Sequence, residues 1–143
     1  MSRLAPDRSF DRLDRVPCAD GRALDLTHYP LPFDTEELLL LCGVDGPVVM
    51  HYLDTGWALQ IDWDRALLPD LMLWVSQRGR AGPPWNRRHC ALGVEPLNGA
   101  FDLGRVAAPP AGHALADRSG LALRPGAPLR LDYRLAAWPE RAP

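Results

Sequence analysis

Short stretches in which apolar and polar residues alternate, with turn-forming residues between them, constrain the fold of this chain most strongly. Side chains alternate between the two faces of a β-strand, so alternation over about four to eight residues predicts a half-buried strand. The 143 residues include 15 prolines and 12 glycines, and clusters of them separate the alternating stretches, where they predict turns. The sequence therefore predicts an all-β fold, an antiparallel β-sandwich.

Three of these stretches follow one another closely. Residues 47–53 and 57–63 alternate on either side of Asp54-Thr55-Gly56, whose turn chemistry predicts that the two strands form a hairpin. Residues 71–76 form the next predicted strand. The glycines and prolines that follow it predict a loop over residues 77–86.

The last stretch, residues 128–138, has the cleanest alternation in the chain. Its charged residues Arg130, Asp132 and Arg134 fall on one face, which we expect to lie in water, as is common in antiparallel sheets. The opposite face, which we expect to lie against the core, comprises Leu129, Leu131, Tyr133, Leu135 and Ala137.

The region before the first clear strand has a different composition. Residues 1–35 are rich in Asp, Arg and Pro, which predicts an irregular arm with short strands near residues 22–26. Residues 36–42 are compatible with either a short helix or a buried strand, because so short an apolar run does not distinguish the two. The β core is expected over about residues 44–138. No further boundary is visible, so residues 1–143 are predicted to form a single domain.

The composition argues against several classes of function. The net charge is −2, which gives no broad basic surface for nucleic acid. No stretch approaches the roughly 20 consecutive apolar residues of a membrane span, and the charged start is not a secretory signal, so we expect a cytoplasmic protein that binds no membrane. All 16 basic residues are arginine, which excludes lysine-dependent catalysis. Cys18, Cys42 and Cys90 lack metal-ligand spacing, and neither a metal nor a cofactor is predicted.

The segment Pro83–Gly104 carries the candidate site. If residues 89–95 form a strand, Glu95 shares one face with small residues that leave room for a ligand beside its carboxylate. We therefore interpret Glu95 as a site residue. The alternative is a structural ion pair between Glu95 and Arg87 or Arg88, which are near in sequence. The opposite face of the predicted strand, expected to lie in the core, comprises Cys90, Leu92 and Val94.

Aromatic residues near this segment suggest a binding role. Trp85 follows two prolines, and a flat ring held on a stiff loop suits stacking against an apolar face of a ligand. The alternative is that Trp85 covers the core as a lid. Trp74, Trp85 and Arg88 together are candidates for binding a polyol, since aromatic faces and planar guanidinium groups suit such ligands.

These segments resemble the galactose mutarotase-like family, which includes the aldose 1-epimerases. The resemblance covers residues 57–104 and 121–138, in the stretches LPDLMLWVSQRG, PWNRRHCALGVEPLNGAFDLG and LALRPGAPLRLDYRLAAW. In that family a glutamate in a Glu-Pro context on a late strand is the catalytic base, and a Pro-Gly turn followed by an alternating strand closes the sheet. Glu95 and residues 125–138 match these features in type and order. The resemblance implies an isomerase of carbohydrate metabolism that interconverts the anomers of a small sugar.

The implied reaction needs a base, which the resemblance assigns to Glu95, and an acid that protonates the ring oxygen of the sugar. His89 lies on the same predicted strand as Glu95 but about 20 Å away at roughly 3.3 Å per residue, too far for both to face one sugar ring. His51, on another strand, is the preferred acid because a strand fixes a side chain better than an irregular arm does. His28, in the arm, is an alternative.

The chain also departs from the family. Family members are much longer and form a two-sheet supersandwich, and their catalytic histidine comes from an earlier His-Pro-Tyr-Phe-like segment that this sequence lacks. The chain is therefore expected to form the C-terminal half of such a supersandwich. The hypotheses are an aldose 1-epimerase-like protein that converts or binds a sugar, a non-catalytic carbohydrate-binding module, and a remnant completed by a partner chain. The last predicts a homodimer or a partner carrying the missing N-terminal half, since half a supersandwich leaves open edges or an apolar face.

Overall fold

The computed structural model of the protein describes residues 2–100, 109–118 and 120–140. These residues form antiparallel sheets with almost no helix, which confirms the predicted all-β, antiparallel fold class. No helix in this part of the chain is long and apolar enough to cross a membrane. The last four residues of the segment Pro83–Gly104 lie outside the described residues.

The strands of the described residues are numbered in chain order. They are β1 (Val16–Pro17), β2 (Ala23–Leu24), β3 (Thr35–Leu41), β4 (Val48–Tyr52), β5 (Trp57–Trp63), β6 (Asp70–Gln77), β7 (Cys90–Leu97) and β8 (Tyr133–Pro139). β1 pairs with β2, one three-stranded sheet has the order β3-β6-β7, and another has the order β4-β5-β8.

The chain folds into two compact units. The first unit comprises Met1–Leu39 and Leu73–Gly93, and the second comprises Leu40–Met72 and Val94–Pro143. The strands β3, β6 and β7 each contribute residues to both units. Each unit is therefore assembled from segments that are distant in sequence.

The N-terminal arm contributes its own small apolar core to the first unit. β1 and β2 pair antiparallel, with Val16 opposite Leu24, where the sequence predicts short strands near residues 22–26. The amide of Leu26 donates a hydrogen bond to the carbonyl of Leu13 (2.8 Å). Val16 and Leu26 are both buried, so the arm packs inward although its sequence has no periodicity.

Strand β3 covers most of residues 36–42, for which the sequence allows either a helix or a strand. Its burial alternates, with Thr35, Glu37 and Leu39 buried, as expected for a strand with one inward face. The carboxylate of Glu37 accepts hydrogen bonds from the hydroxyl of Ser2 (2.6 Å) and the amide of Arg3 (2.7 Å). These bonds attach the start of the arm to β3.

β6 is the middle strand of its sheet and extends the predicted strand 71–76 by one residue at each end. The amide of Val44, just after β3, donates to the carbonyl of Pro69, just before β6 (2.8 Å). The amide of Arg78, just after β6, donates to the carbonyl of His89, just before β7 (2.8 Å). β6 therefore runs antiparallel to both neighbours. Most of its residues are buried.

A buried carboxylate joins distant segments of the second unit. Asp70, the first residue of β6, is fully buried. One of its oxygens accepts a hydrogen bond from the amide of Gly43 (2.9 Å) and also pairs with the guanidinium of Arg118. An unpaired buried carboxylate is strongly destabilising, so these two partners fix where both segments lie.

The predicted hairpin of residues 47–53 and 57–63 is confirmed. β4 and β5 pair antiparallel, from Val48 opposite Ile61 to Tyr52 opposite Trp57, and β8 pairs with the other side of β5. Directly opposite residues lie on the same face of a sheet, so one face of β4-β5-β8 is entirely apolar. This apolar face comprises Val48, Met50, Tyr52, Trp57, Leu59, Ile61, Trp63, Tyr133, Leu135, Ala137 and Pro139.

The prediction for the last strand is wrong both in the bounds of the strand and in the burial of its apolar face. The strand is Tyr133–Pro139 rather than residues 128–138, and the face expected to lie in the core is exposed, with Tyr133 at 48% and Leu135 at 65%. Leu129 and Leu131 are exposed as well. Alternation shows which residues share a face but not whether a second layer covers that face. Here β8 is the end strand of β4-β5-β8.

Gly79 is the position where the loop after β6 passes closest to β3. A Cβ atom at Gly79 would lie 2.8 Å from the carbonyl carbon and oxygen of Thr35 and 2.5 Å from Cγ of Glu36. Backbone atoms cannot move aside as a flexible side chain can. Only glycine therefore fits at this crossing.

We predict that Gly79→Ala lowers the free energy of unfolding by about 1 to 3 kcal/mol, because the added methyl group overpacks against backbone. The matched control is Gly82→Ala, where a Cβ would meet nothing within 4 Å. Urea unfolding followed by tryptophan fluorescence measures both variants. Equal stability of the two variants would contradict the close approach.

Candidate functional site

An aromatic cluster lies in the first unit, formed by Trp74, Arg80, Trp85 and His89. The guanidinium carbon of Arg80 lies 4.5 Å from the ring centre of Trp74 and 5.4 Å from that of Trp85. The ring centre of His89 lies 6.1 Å from Trp74 and 4.7 Å from Trp85. At these distances cation–π and aromatic contacts form, so Arg80 and His89 each connect the two indole rings.

The carboxylate of Glu36, on β3, anchors this cluster. It accepts hydrogen bonds from the indole N–H of Trp74 (2.9 Å) and from the hydroxyl of Ser76 (2.6 Å). Trp74 and Ser76 are two residues apart on β6 and so share a face. Nε of Arg80 lies 3.6 Å from the same carboxylate. Glu36 therefore fixes an indole ring and a guanidinium group at once.

The same contacts keep Glu36 negatively charged. Burial alone raises the pKa of Glu36, but the hydrogen bonds from Ser76 and Trp74 and the charge of Arg80 outweigh that effect, so the pKa is lowered from its usual 4.5. At neutral pH the cluster accordingly holds a carboxylate next to a guanidinium and two indole rings.

Backbone hydrogen bonds fix the loop that carries Arg80 and Trp85. The carbonyl of Gly82 accepts a hydrogen bond from the amide of Trp85 (3.1 Å), and the carbonyl of Arg80 accepts one from the amide of Arg87 (2.8 Å). The guanidinium of Arg87 also lies 3.3 Å from the carboxylate of Asp34. Arg80 and Trp85 are thus held in place by backbone hydrogen bonds within the loop and by the ion pair of Arg87 with Asp34.

The structure brings together two of the three residues predicted to bind a ligand. Trp74 and Trp85 are both half-buried members of the aromatic cluster, and the ring of Trp85 contacts Arg80 and His89. Arg88 is exposed, and its side chain makes no hydrogen bond, ion pair or ring contact with another described residue. Arg80, rather than Arg88, supplies the guanidinium of the cluster.

Glu95, the predicted base, lies on β7 and is exposed. Among the described residues its carboxylate has no hydrogen-bond or ion-pair partner. Arg87, one of the two partners considered from the sequence, pairs with Asp34 instead (3.3 Å). Glu95 therefore does not form the ion pair with Arg87 or Arg88 that was the alternative interpretation.

His51, the preferred acid, lies on β4 and is exposed. Its Nδ1 atom lies 2.7 Å from the carboxylate of Glu140. Glu95 and His51 belong to different sheets, and no contact joins their side chains. The alternative acid, His28, is exposed and hydrogen-bonds to the hydroxyl of Thr27 (2.8 Å).

The prediction that Cys90, Leu92 and Val94 lie in the core is wrong. The strand is Cys90–Leu97, so His89 lies just outside it. Cys90 is exposed, and Leu92 and Val94 are only half-buried. β7 is an end strand of β3-β6-β7, where it is covered less than the middle strand β6.

Glu36 and Arg80 are the site residues that the sequence did not reveal. Glu36 lies 38 positions before Trp74, and only the pairing of β3 with β6 brings them together. A usable signal was that Trp74 and Ser76 lie on one face of a predicted strand. The indole N–H and the hydroxyl are donors that require an acceptor when they are removed from water. Nothing comparable marked Arg80, because glycines and prolines predict a loop but not its path.

Comparisons of the chain with models of known protein families, with curated proteins and with solved structures found no match.

We predict that the stabilising contribution of Glu36 depends on pH. Because the folded-state pKa of Glu36 is lowered from 4.5, its contribution is fully present above the unfolded-state value and is lost as the pH falls through the lowered one. The free energy of unfolding of the wild type should exceed that of Glu36→Gln most at neutral pH, and the difference should shrink in acid. Urea unfolding across a pH series measures it.

Two further variants control this prediction. Ser76→Ala removes a hydrogen-bond donor to Glu36. The change in unfolding free energy between neutral and acid pH that Glu36 causes should therefore be smaller in this variant than in the wild type. Ser9→Ala removes an exposed hydroxyl and should leave the pH profile unchanged. A wild-type advantage that grows as the pH falls would contradict the assigned ion pair and hydrogen bonds.

Proposed function

We propose that the protein binds a sugar on the aromatic cluster of its first unit. The observation that carries this proposal is that two indole rings, a guanidinium and an ionised carboxylate meet in one half-buried place. Aromatic faces pack against the C–H faces of sugar rings, while hydroxyl groups can both donate to a carboxylate and accept from a guanidinium. The cluster offers all three kinds of contact.

The unused hydrogen-bonding capacity of Glu36 and Arg80 supports a polar ligand. A carboxylate has about four acceptor sites, and Glu36 receives hydrogen bonds from Trp74 and Ser76. A guanidinium has five N–H donors, and the Arg80 side chain is 43% exposed. Sugar hydroxyl groups match this combination of an acceptor and donors.

Trp85 is the member of the cluster best placed to stack on a ligand. The indole N–H of Trp74 is hydrogen-bonded to Glu36, and Arg80 packs over its ring. The ring of Trp85 contacts Arg80 at 5.4 Å and His89 at 4.7 Å, and Trp85 lies on a loop at the surface of the unit. Glu36 and Trp74 thus hold Arg80 in place, and Arg80 and Trp85 together are the groups that meet the ligand.

The resemblance of residues 57–104 and 121–138 to the galactose mutarotase-like family supports a sugar as the ligand. Trp74 and the whole segment from Gly79 to His89 lie within the resembling residues. On this proposal the chain corresponds to the C-terminal half of a galactose mutarotase-like supersandwich. A role in carbohydrate metabolism follows from it.

We predict that Trp85→Ala weakens sugar binding about two- to tenfold, because stacking on one indole ring is worth about 0.5 to 1.5 kcal/mol. Glucose, galactose and glucose 6-phosphate are titrated against wild type and variant, and binding is followed by NMR of the protein and by tryptophan fluorescence. Trp57→Ala, which removes an exposed tryptophan of the second unit, is the matched control and should bind as wild type does. No binding of any of these sugars by the wild type would refute the proposal.

Interconversion of sugar anomers is a second candidate function, and the exposed carboxylate of Glu95 favours it. A general base must be free to take a proton, and Glu95 is exposed without a partner among the described residues. His51 is the proposed acid. Its Nδ1 atom is engaged by Glu140 at 2.7 Å, which leaves Nε2 as the nitrogen for proton transfer.

We predict that the wild type accelerates the mutarotation of freshly dissolved α-glucose or α-galactose and that Glu95→Gln lowers this rate about 100-fold or more, because a base contributes at least that much. Polarimetry measures the rate. Asp54→Asn, which changes an exposed acid in a turn, is the control. A wild-type rate equal to that of buffer would refute catalysis, and the binding titration then decides whether sugar binding stands alone.

A further inference from the structure

The outer edge of β8 exposes backbone groups that are arranged to pair with another strand. The amide of Asp64 donates to the carbonyl of Asp132 (3.2 Å), and the amide of Glu140 donates to the carbonyl of Gly56 (2.7 Å). Even-numbered residues of this segment therefore direct their backbone groups toward β5. In an antiparallel ladder the intervening residues direct theirs the other way. Leu131, Tyr133, Leu135 and Ala137 thus present N–H and C=O groups at the edge, where no described residue pairs with them.

The side chains along this edge are apolar and exposed. Leu131 is 41% exposed, Tyr133 48% and Leu135 65%. Tyr133 and Leu135 lie on the apolar face of β4-β5-β8, next to Trp63 and Ile61 of β5. Native proteins usually protect such an edge with charges, prolines or a covering segment, because an open apolar edge pairs with other strands.

We propose that the segment from Leu131 to Leu135, at the start of β8, pairs antiparallel with the same segment of a second copy of this chain, about a twofold axis at Tyr133. Tyr133 then faces the partner's Tyr133, and Leu131 faces the partner's Leu135. The two three-stranded sheets are then joined edge to edge through this segment, and their apolar faces meet there. This inference is independent of the proposed sugar binding.

The charges beside Tyr133 fit this register and disfavour its one-residue shifts. With the axis at Tyr133, Arg134 lies opposite the partner's Asp132, and symmetry forms this pair twice. An axis at Asp132 would place Arg130 opposite the partner's Arg134, and an axis at Arg134 would place two Arg134 side chains opposite each other. Like charges directly opposite on neighbouring strands are destabilising. One-residue shifts in either direction are therefore disfavoured.

A shift of two residues toward the N-terminus also fails. With the axis at Leu131, Leu135 would lie opposite the partner's Ala127. Ala127 already forms a bridge with Arg124 across the turn between them, so the chain there is not an extended edge. The self-complementary sequence around Tyr133 is the reason to assign the edge to a second copy of this chain rather than to an unrelated chain.

A charge exchange tests the proposal. Sedimentation velocity over a series of concentrations should show a dimer for the wild type. Asp132→Arg places two arginines opposite each other and Arg134→Asp places two aspartates, so each should raise the dimer dissociation constant about tenfold. The double variant D132R/R134D restores opposite charges and should restore the dimer. Circular dichroism checks that every variant is folded.

A cross-link tests the register. In hydrogen-bonded antiparallel pairs the Cα atoms are about 5.5 Å apart, which a disulfide spans. In a background of Cys18→Ser, Cys42→Ser and Cys90→Ser, Tyr133→Cys should form a covalent dimer on oxidation. Ala137→Cys, on the same strand and face but away from the axis, should not. A monomer at all concentrations, a dimer insensitive to both charge changes, or cross-linking of Ala137→Cys in preference to Tyr133→Cys would overturn the proposal.

Discussion

A carboxylate removed from water must find hydrogen-bond donors or a positive charge inside the protein, and this requirement organises much of the structure. Glu37 and Asp70 are fully buried, and Glu36 is partly so. Each draws its partners from segments that are far away in sequence. Glu37 attaches the arm, Asp70 attaches two segments of the second unit, and Glu36 assembles the aromatic cluster.

The proposed site depends on this requirement in a direct way. Glu36 and Glu37 are neighbours on β3 and so point to opposite faces. One of them satisfies the arm, while the other meets the indole of Trp74 and the guanidinium of Arg80. The cluster is thus held in place before any ligand arrives, which is the condition for binding without a large cost of ordering side chains.

The site could be predicted from the sequence only in part. Trp74 and Trp85 could be proposed from the sequence because aromatic faces suit a polyol and because two prolines stiffen the loop before Trp85. Glu36 and Arg80 were not, since their roles arise from contacts across β3 and β6 and from the path of a loop. Glu95 was predicted to be a site residue, and the structure shows that its carboxylate is exposed.

The sequence by itself determined the all-β class, the hairpin of β4 and β5, and which side chains share a face, because these follow from local alternation and turn chemistry. The choice of strand for β3, the exposure of the β8 face and the partners of the buried carboxylates were decided only by tertiary structure. The physical reason is that periodicity is a property of neighbouring residues, whereas burial and charge pairing depend on which distant segments pack together. The apolar row from Leu129 to Ala137 shows the difference: its pattern is that of a core strand, but β8 lies at an edge of its sheet among the described strands, and Leu135 is exposed.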